Sequence, residues 1–198
     1  MQFLINFSKS VDWINTQVGR LATWLILATT LVSSGNAIIR KIFNVSSNSL
    51  LEIQWYLFAG VFMLGAGYAF LHNAHVRIDF ISSRLSARAR NWVDVVGIVA
   101  VLFPFCVIAI YLSLPLFIRT FASGEMSQNA GGLIRWPAYA LIPLGFGLLM
   151  LQGASELIKR WAFLQNKGPD VLTHAESDDE KLAHELEAQV AAELARSK

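Results

Sequence analysis

Four apolar runs set the pattern of this chain, at 21–39, 50–71, 95–118 and 136–155. Three of them hold no charge, and the second holds only Glu52. With a rise of about 1.5 Å per residue, about twenty residues cross a hydrocarbon core of about 30 Å. Each run therefore predicts a spanning helix, and with their flanks the spans fall at about 19–39, 50–71, 93–118 and 136–158. Trp55, Tyr56, Trp92, Trp136 and Trp161 stand near the run ends, where aromatic side chains sit at headgroup level. Pro104 and Pro115 predict bends in the third span, since each removes a helix hydrogen bond. Pro137 suits the first turn of the fourth.

The remaining segments have a different pattern. In 1–18, Phe3, Phe7, Val11, Ile14 and Val18 recur at helical spacing with Lys9, Asp12 and Asn15 between them. A helix lying in the membrane interface fits that spacing, and so does an extension of the first span. Ser82 to Arg90 is basic and led by serines, and predicts a second interfacial helix whose Arg84, Arg88 and Arg90 lie along anionic headgroups, at about 1 kcal/mol per charge. Small residues mark packing faces: Thr29, Thr30, Ser33, Ser34, Gly35 and Asn36 in span one, and Gly60, Gly65 and Gly67 in span two. After Gly168-Pro169 the composition turns polar, and Leu182, Leu186, Val190 and Leu194 predict one soluble tail helix. The domains expected are a four-helix membrane domain at 1–165 and a tail at 166–198.

Composition agrees with this pattern: the chain is 55% hydrophobic and 15% charged, the balance of an integral membrane protein. A lone Cys106 inside an apolar run excludes an internal disulfide and reads as buried and inert. Charge placement predicts orientation. Lys9, Arg20, Arg77, Arg84, Arg88, Arg90, Lys159, Arg160 and Lys167 share one side, against Arg40, Lys41, Arg119 and Arg135 on the other. The richer side is expected to be cytoplasmic and to hold both termini.

Few groups are placed to do chemistry. Glu52 is an acid just inside a span, where it is expected to pair with Arg40, Lys41 or Arg135, with a contact to a partner subunit and coupling-ion or proton work as the alternatives. His72 and His75 are three apart, but zinc would need further ligands and only Asp79 is near, so no metal is expected. Arg77 and Asp79 read as bridges or caps between flanking helices. The loop Arg119–Arg135, with Glu125, Ser127, Gln128 and Asn129, reads as an irregular polar surface for transient docking or as a connector that only joins two helices. No phosphate-binding loop, nucleophile triad or facing haem-type His pair is present in the sequence, so neither an enzyme nor a cofactor is expected. The basic segment is too sparse for nucleic acid.

The order of these features resembles the small membrane subunit of tripartite ATP-independent periplasmic (TRAP) transporters, the DctQ-like family. The resemblance covers about 12–165. It rests on the four spans, the Glu52 start Leu51-Glu52-Ile53-Gln54-Trp55-Tyr56-Leu57, the stretch Gly65-Ala66-Gly67-Tyr68-Ala69, and His75-Val76-Arg77-Ile78-Asp79 after span two. The run from Gly131 to Gly145 is similar to one branch of that family, which implies 2-oxo acids or related carboxylates. The resemblance implies a scaffold subunit in the bacterial inner membrane. Its partners would be a large membrane subunit with the solute and sodium sites, a periplasmic solute-binding protein, and membrane lipids. The alternative is a four-span anchor of another membrane complex.

Overall fold

The computed structural model describes residues 2–44, 47–72, 85–166 and 168–170. His75, Arg77, Asp79, Arg84 and the tail helix lie outside the described residues. The described chain is helical: α1 (Gln2–Phe43), α2 (Asn48–Leu71), α3 (Ala87–Gly97), a π-helical turn (Ile98–Leu102), α4 (Phe103–Ser123) and α5 (Trp136–Leu164). Four helical units are long and apolar enough to cross a membrane, α3 to α4 counting as one.

The described parts of the two segments considered for the membrane interface continue into spanning helices. α1 is a single helix of 42 residues, about 63 Å long, so the segment before residue 19 extends the first span. It ends at Asn44, whose φ of 52° is the left-handed conformation that stops helices. Arg88 and Arg90 stand in the first turn of α3, which Ser86 caps by accepting from the Ala89 N–H at 3.3 Å. The helix then runs into the third span. Arg88 also reaches across to Asn166 at 3.0 Å. The expected bend at Pro104 takes the form of the π turn just before it. There the Phe103 N–H reaches back five residues to Ile98 O. A widened turn relieves the clash of the proline ring with the preceding carbonyls.

α5 is the centre of the bundle. It packs on α2, on the first half of α1 and on the α3–α4 unit, while α2 lies between α1 and α5. Glycine sets the approach of α2 to its neighbours. A Cβ on Gly67 would stand 2.2 Å from Asn15 Oδ1, and one on Gly60 3.2 Å from Leu25. On α5, a Cβ at Gly145 would lie 2.5 Å from the backbone oxygen of Met63. The interior is polar. The largest fully buried side chains include Arg160, Gln152, Glu156, Asn15 and Asn91, whereas Trp24, Tyr111 and Leu112 are more than two-thirds exposed. Apolar side chains facing lipid and polar ones facing each other are the arrangement a bilayer selects.

The Gly145 contact gives a prediction with a built-in control. Gly145→Val must push two helix backbones apart, and overpacking of this kind costs about 1–3 kcal/mol. Gly147, two residues on, has nothing within 4 Å of its Cβ position. In detergent, Gly145→Val should lower the unfolding temperature by several degrees while Gly147→Val leaves it near the parent; equal effects would mean that α2 and α5 do not touch at Gly145.

Candidate functional site

Polar side chains gather at the two ends of the bundle. At the loop end, Glu52 lies in the first turns of α2 and is 4% exposed. Its carboxylate accepts from the Ser127 hydroxyl, from Asn129 Nδ2 at 2.8 Å and from the Leu133 N–H at 2.7 Å. All three donors are neutral. The expected partner Arg135 instead pairs with Glu125 at 2.5 Å and donates to the Tyr139 hydroxyl, with its guanidinium 5.2 Å from the Tyr139 ring.

The loop between α4 and α5 is consequently more ordered than an irregular docking surface. Met126 and Ile134 form an antiparallel bridge, with Ser127 N–H to Leu133 O at 2.8 Å and Arg135 N–H to Glu125 O at 3.0 Å. Gly124 ends α4 at φ 60°, and Gly131 turns the tip at φ 71°. Asn48 and Ser49 donate to the Ala130 and Gly131 carbonyls, and Tyr56 donates to Ile134 O at 3.2 Å. The start of α2 thus holds the whole hairpin. Between them lies an open cleft of about 490 Å³, lined by Glu52, Trp55, Tyr56, Gln128, Asn129, Arg135 and Tyr139 among others. Of the sequence-selected residues, the structure brings Glu52, Glu125 and Arg135 to this one region. His72 is exposed at the opposite end of α2, its ring 4.3 Å from that of Tyr68.

At the terminal end the structure shows a second cluster that periodicity did not reveal. Asp12 of α1 accepts from Gln152 at 2.9 Å and Ser155 at 2.8 Å, and pairs with Lys159 at 2.8 Å. Lys159 also holds Glu156 at 2.7 Å. Arg160 pairs with Glu156 on its own helix and donates from Nε and Nη2 to Asp94 of α3 at 3.2 and 3.1 Å. Ser8 meets Ser155 at 2.7 Å, and Asn15 donates to Gln152 at 2.9 Å. Three spanning units are joined by this network. The signal for it was the polar face 152, 155, 156, 159, 160 on an otherwise apolar helix. Among the described residues, no group of three His, Cys, Asp or Glu side chains is placed to hold a metal ion.

The geometry is that of a closed membrane bundle with both polar ends engaged internally. A family model described as tripartite ATP-independent periplasmic transporters, DctQ component, matches residues 29–163, more than half of the chain. No match is found among curated proteins. The matched region takes in the Glu52 hairpin and the polar face of α5, and the chain belongs to the DctQ family of TRAP transporter components.

Proposed function

We propose that this chain is the small permease subunit of a TRAP transporter. It would brace a large membrane subunit while a periplasmic solute-binding protein delivers an organic acid for sodium-coupled uptake. The observation that carries this reading, beside the family, is the use made of the charged groups. Glu52 has its oxygens occupied by three protein donors, and Asp12, Glu156, Lys159, Arg160 and Asp94 satisfy one another. Charged groups locked in this way suit a rigid brace. A coupling cation or a carboxylate solute would need ligands that are free to change partners. Its own site belongs, in this reading, to the large subunit.

The excess of Lys and Arg at the terminal end supports a cytoplasmic position for both termini. The Glu52 hairpin then faces the periplasm, where Gln128 and the Glu125–Arg135 pair offer the binding protein a polar surface of modest area.

The test is reconstitution. In liposomes, the purified chain alone should give no sodium-dependent uptake of a 2-oxo acid or related carboxylate. Adding the large membrane subunit and the binding protein of the same transporter should restore it. Uptake by the purified chain alone would overturn the reading.

A further inference from the structure

The third spanning unit, α3 to α4, turns one line of buried side chains inward: Asn91, Ile98, Cys106, Ser113 and Thr120. The steps along this line are seven, eight, seven and seven residues. In an α-helix, seven residues turn about 700°, which brings a side chain back to within about 20° of the same face. Eight residues overshoot that face by about 80°. The one step of eight, from Ile98 to Cys106, contains the π turn. A turn closed by the bond from Phe103 N–H to Ile98 O holds one residue more than an α turn. The odd step is absorbed there, and the inward face continues on the far side.

Two observations separate this turn from a distortion made by Pro104 alone. Pro115 stands inside α4 and Pro143 inside α5, and the turns before both stay α-helical. The π turn is also fitted by its neighbour. A Cβ on Gly153 of α5 would lie 2.5 Å from Leu102 Cδ2, 3.0 Å from Phe103 Cε1 and 3.6 Å from Ile98 Cγ2. Phe103 is five residues beyond Ile98, and in an α-helix it would stand about 140° away from it. The wide turn brings both, with Leu102 between them, over one glycine.

We propose that the third span carries one residue in excess of its packing repeat, and that the π turn is the device that stores it. Storage at this point keeps both parts of the span in register with α5. On one side, Asp94 reaches Arg160 at 3.1 Å. On the other, Cys106 is fully buried and the Phe105 ring meets that of Phe146 at 5.4 Å. Pro104, which has no N–H to give, fixes where along the span the extra residue sits. The excess, not the proline, makes the turn. The inference stands apart from the reading of the chain as a permease subunit.

The test uses the full chain in detergent with two readouts. One is the unfolding temperature, and the other is the rate at which N-ethylmaleimide labels Cys106, the one cysteine of the chain. Deleting Ala100 together with Pro104→Ala removes the extra residue and the proline that would clash with a continuous helix. This variant should unfold within about 3 °C of the parent and label within about twofold of it. Pro104→Ala alone should label at the parent rate as well, because the step of eight remains to be absorbed. Deleting Leu112, an exposed residue of α4, shortens a step of seven instead. Six residues fall about 120° short of the face, so Cys106 or else Ser113 and Thr120 must leave it. The unfolding temperature should then drop by about 10 °C or more. Should that variant fail to accumulate, an alanine inserted after Ala100 replaces it, and should act alike by turning Asp94 away from Arg160. An Ala100 deletion with Pro104→Ala that unfolds as early as the Leu112 deletion, fails to accumulate, or labels about tenfold faster than the parent overturns the proposal. So does a Leu112 deletion that matches the parent. Tenfold faster labelling in Pro104→Ala would show that the proline itself makes the turn, and overturns it too.

Discussion

Arg160→Met is expected to be the most damaging single change in the terminal-end network, and Glu156→Gln a milder one, although the two residues pair with each other. The reason is the charge count. Asp12, Glu156 and Asp94 supply three carboxylates to Lys159 and Arg160. Without Arg160, Lys159 is the one cation left between Asp12 and Glu156, and Asp94 loses both guanidinium bonds to α5. Arg160 is 1% exposed, and breaking a buried pair from one side costs about 3–5 kcal/mol. Lys159 still holds Glu156, which places the expected loss toward the lower part of that range. Without the Glu156 charge, Asp12 still pairs with Lys159 and Asp94 with Arg160, but the NH2 of the variant turns toward a donor that cannot accept, and the change should cost about 1–2 kcal/mol. Unfolding temperatures in detergent should therefore fall steeply for Arg160→Met and clearly less for Glu156→Gln. Adding Glu156→Gln to Arg160→Met should recover part of the loss, because it removes one of the surplus carboxylates. Equal losses for the two single variants would show that the network does not act through its charge balance.

How legible this was in the sequence differs between helices and side chains. The four spans follow from hydrophobic length alone, because a bilayer forces uninterrupted helices. The direction in which each helix turned its residues was harder to read. In 1–18 the apolar set divides: Phe3, Phe7 and Ile14 are exposed, as a face turned to lipid would be, while Val11 is buried beside Ser8 and Asn15. The rule learned from soluble helices, apolar side to the core, inverts where the surroundings are as apolar as the core. Of the two readings of 1–18 the structure shows the extension of the first span, while the continuity of the α3–α4 unit is hidden in the sequence because charges such as Arg90 suggest a boundary, whereas a helix passes through the headgroup layer without needing to stop. Glu52 stood out as a lone acid in an apolar run. Its partners did not, since Ser127, Asn129 and the Leu133 amide are neutral and lie more than seventy residues away.

Those partners lead to the second large effect, the release of the loop-end hairpin by Glu52→Ala. The hairpin has only one bridge of its own, Met126 with Ile134, and a lone two-stranded turn is marginal without support. Glu52 provides that support by receiving three donors from Ser127, Asn129 and Leu133 on two oxygens. Charge-assisted bonds of this kind are about twice as strong as neutral ones. Removing the carboxylate frees the Leu133 N–H and the Asn129 amide together. Hydrogen exchange at Leu133 and at Ser127, whose N–H is bonded to Leu133 O, should speed up at least about tenfold. Amides in the middle of α2 and α5 should keep their protection, because the spans are held by packing elsewhere. Glu52→Gln should fall between parent and alanine. Its one amide oxygen can keep some of the donors, but its NH2 turns toward another; the Ser127 hydroxyl can rotate to accept from it, whereas the Leu133 N–H cannot. Arg135→Gln should act differently again, loosening the Glu125 side while leaving Leu133 protected. If Leu133 exchanges in Glu52→Ala as it does in the parent, the tip is held by Asn48, Ser49 and Tyr56 instead, and Glu52 has no structural hold on this end of the protein.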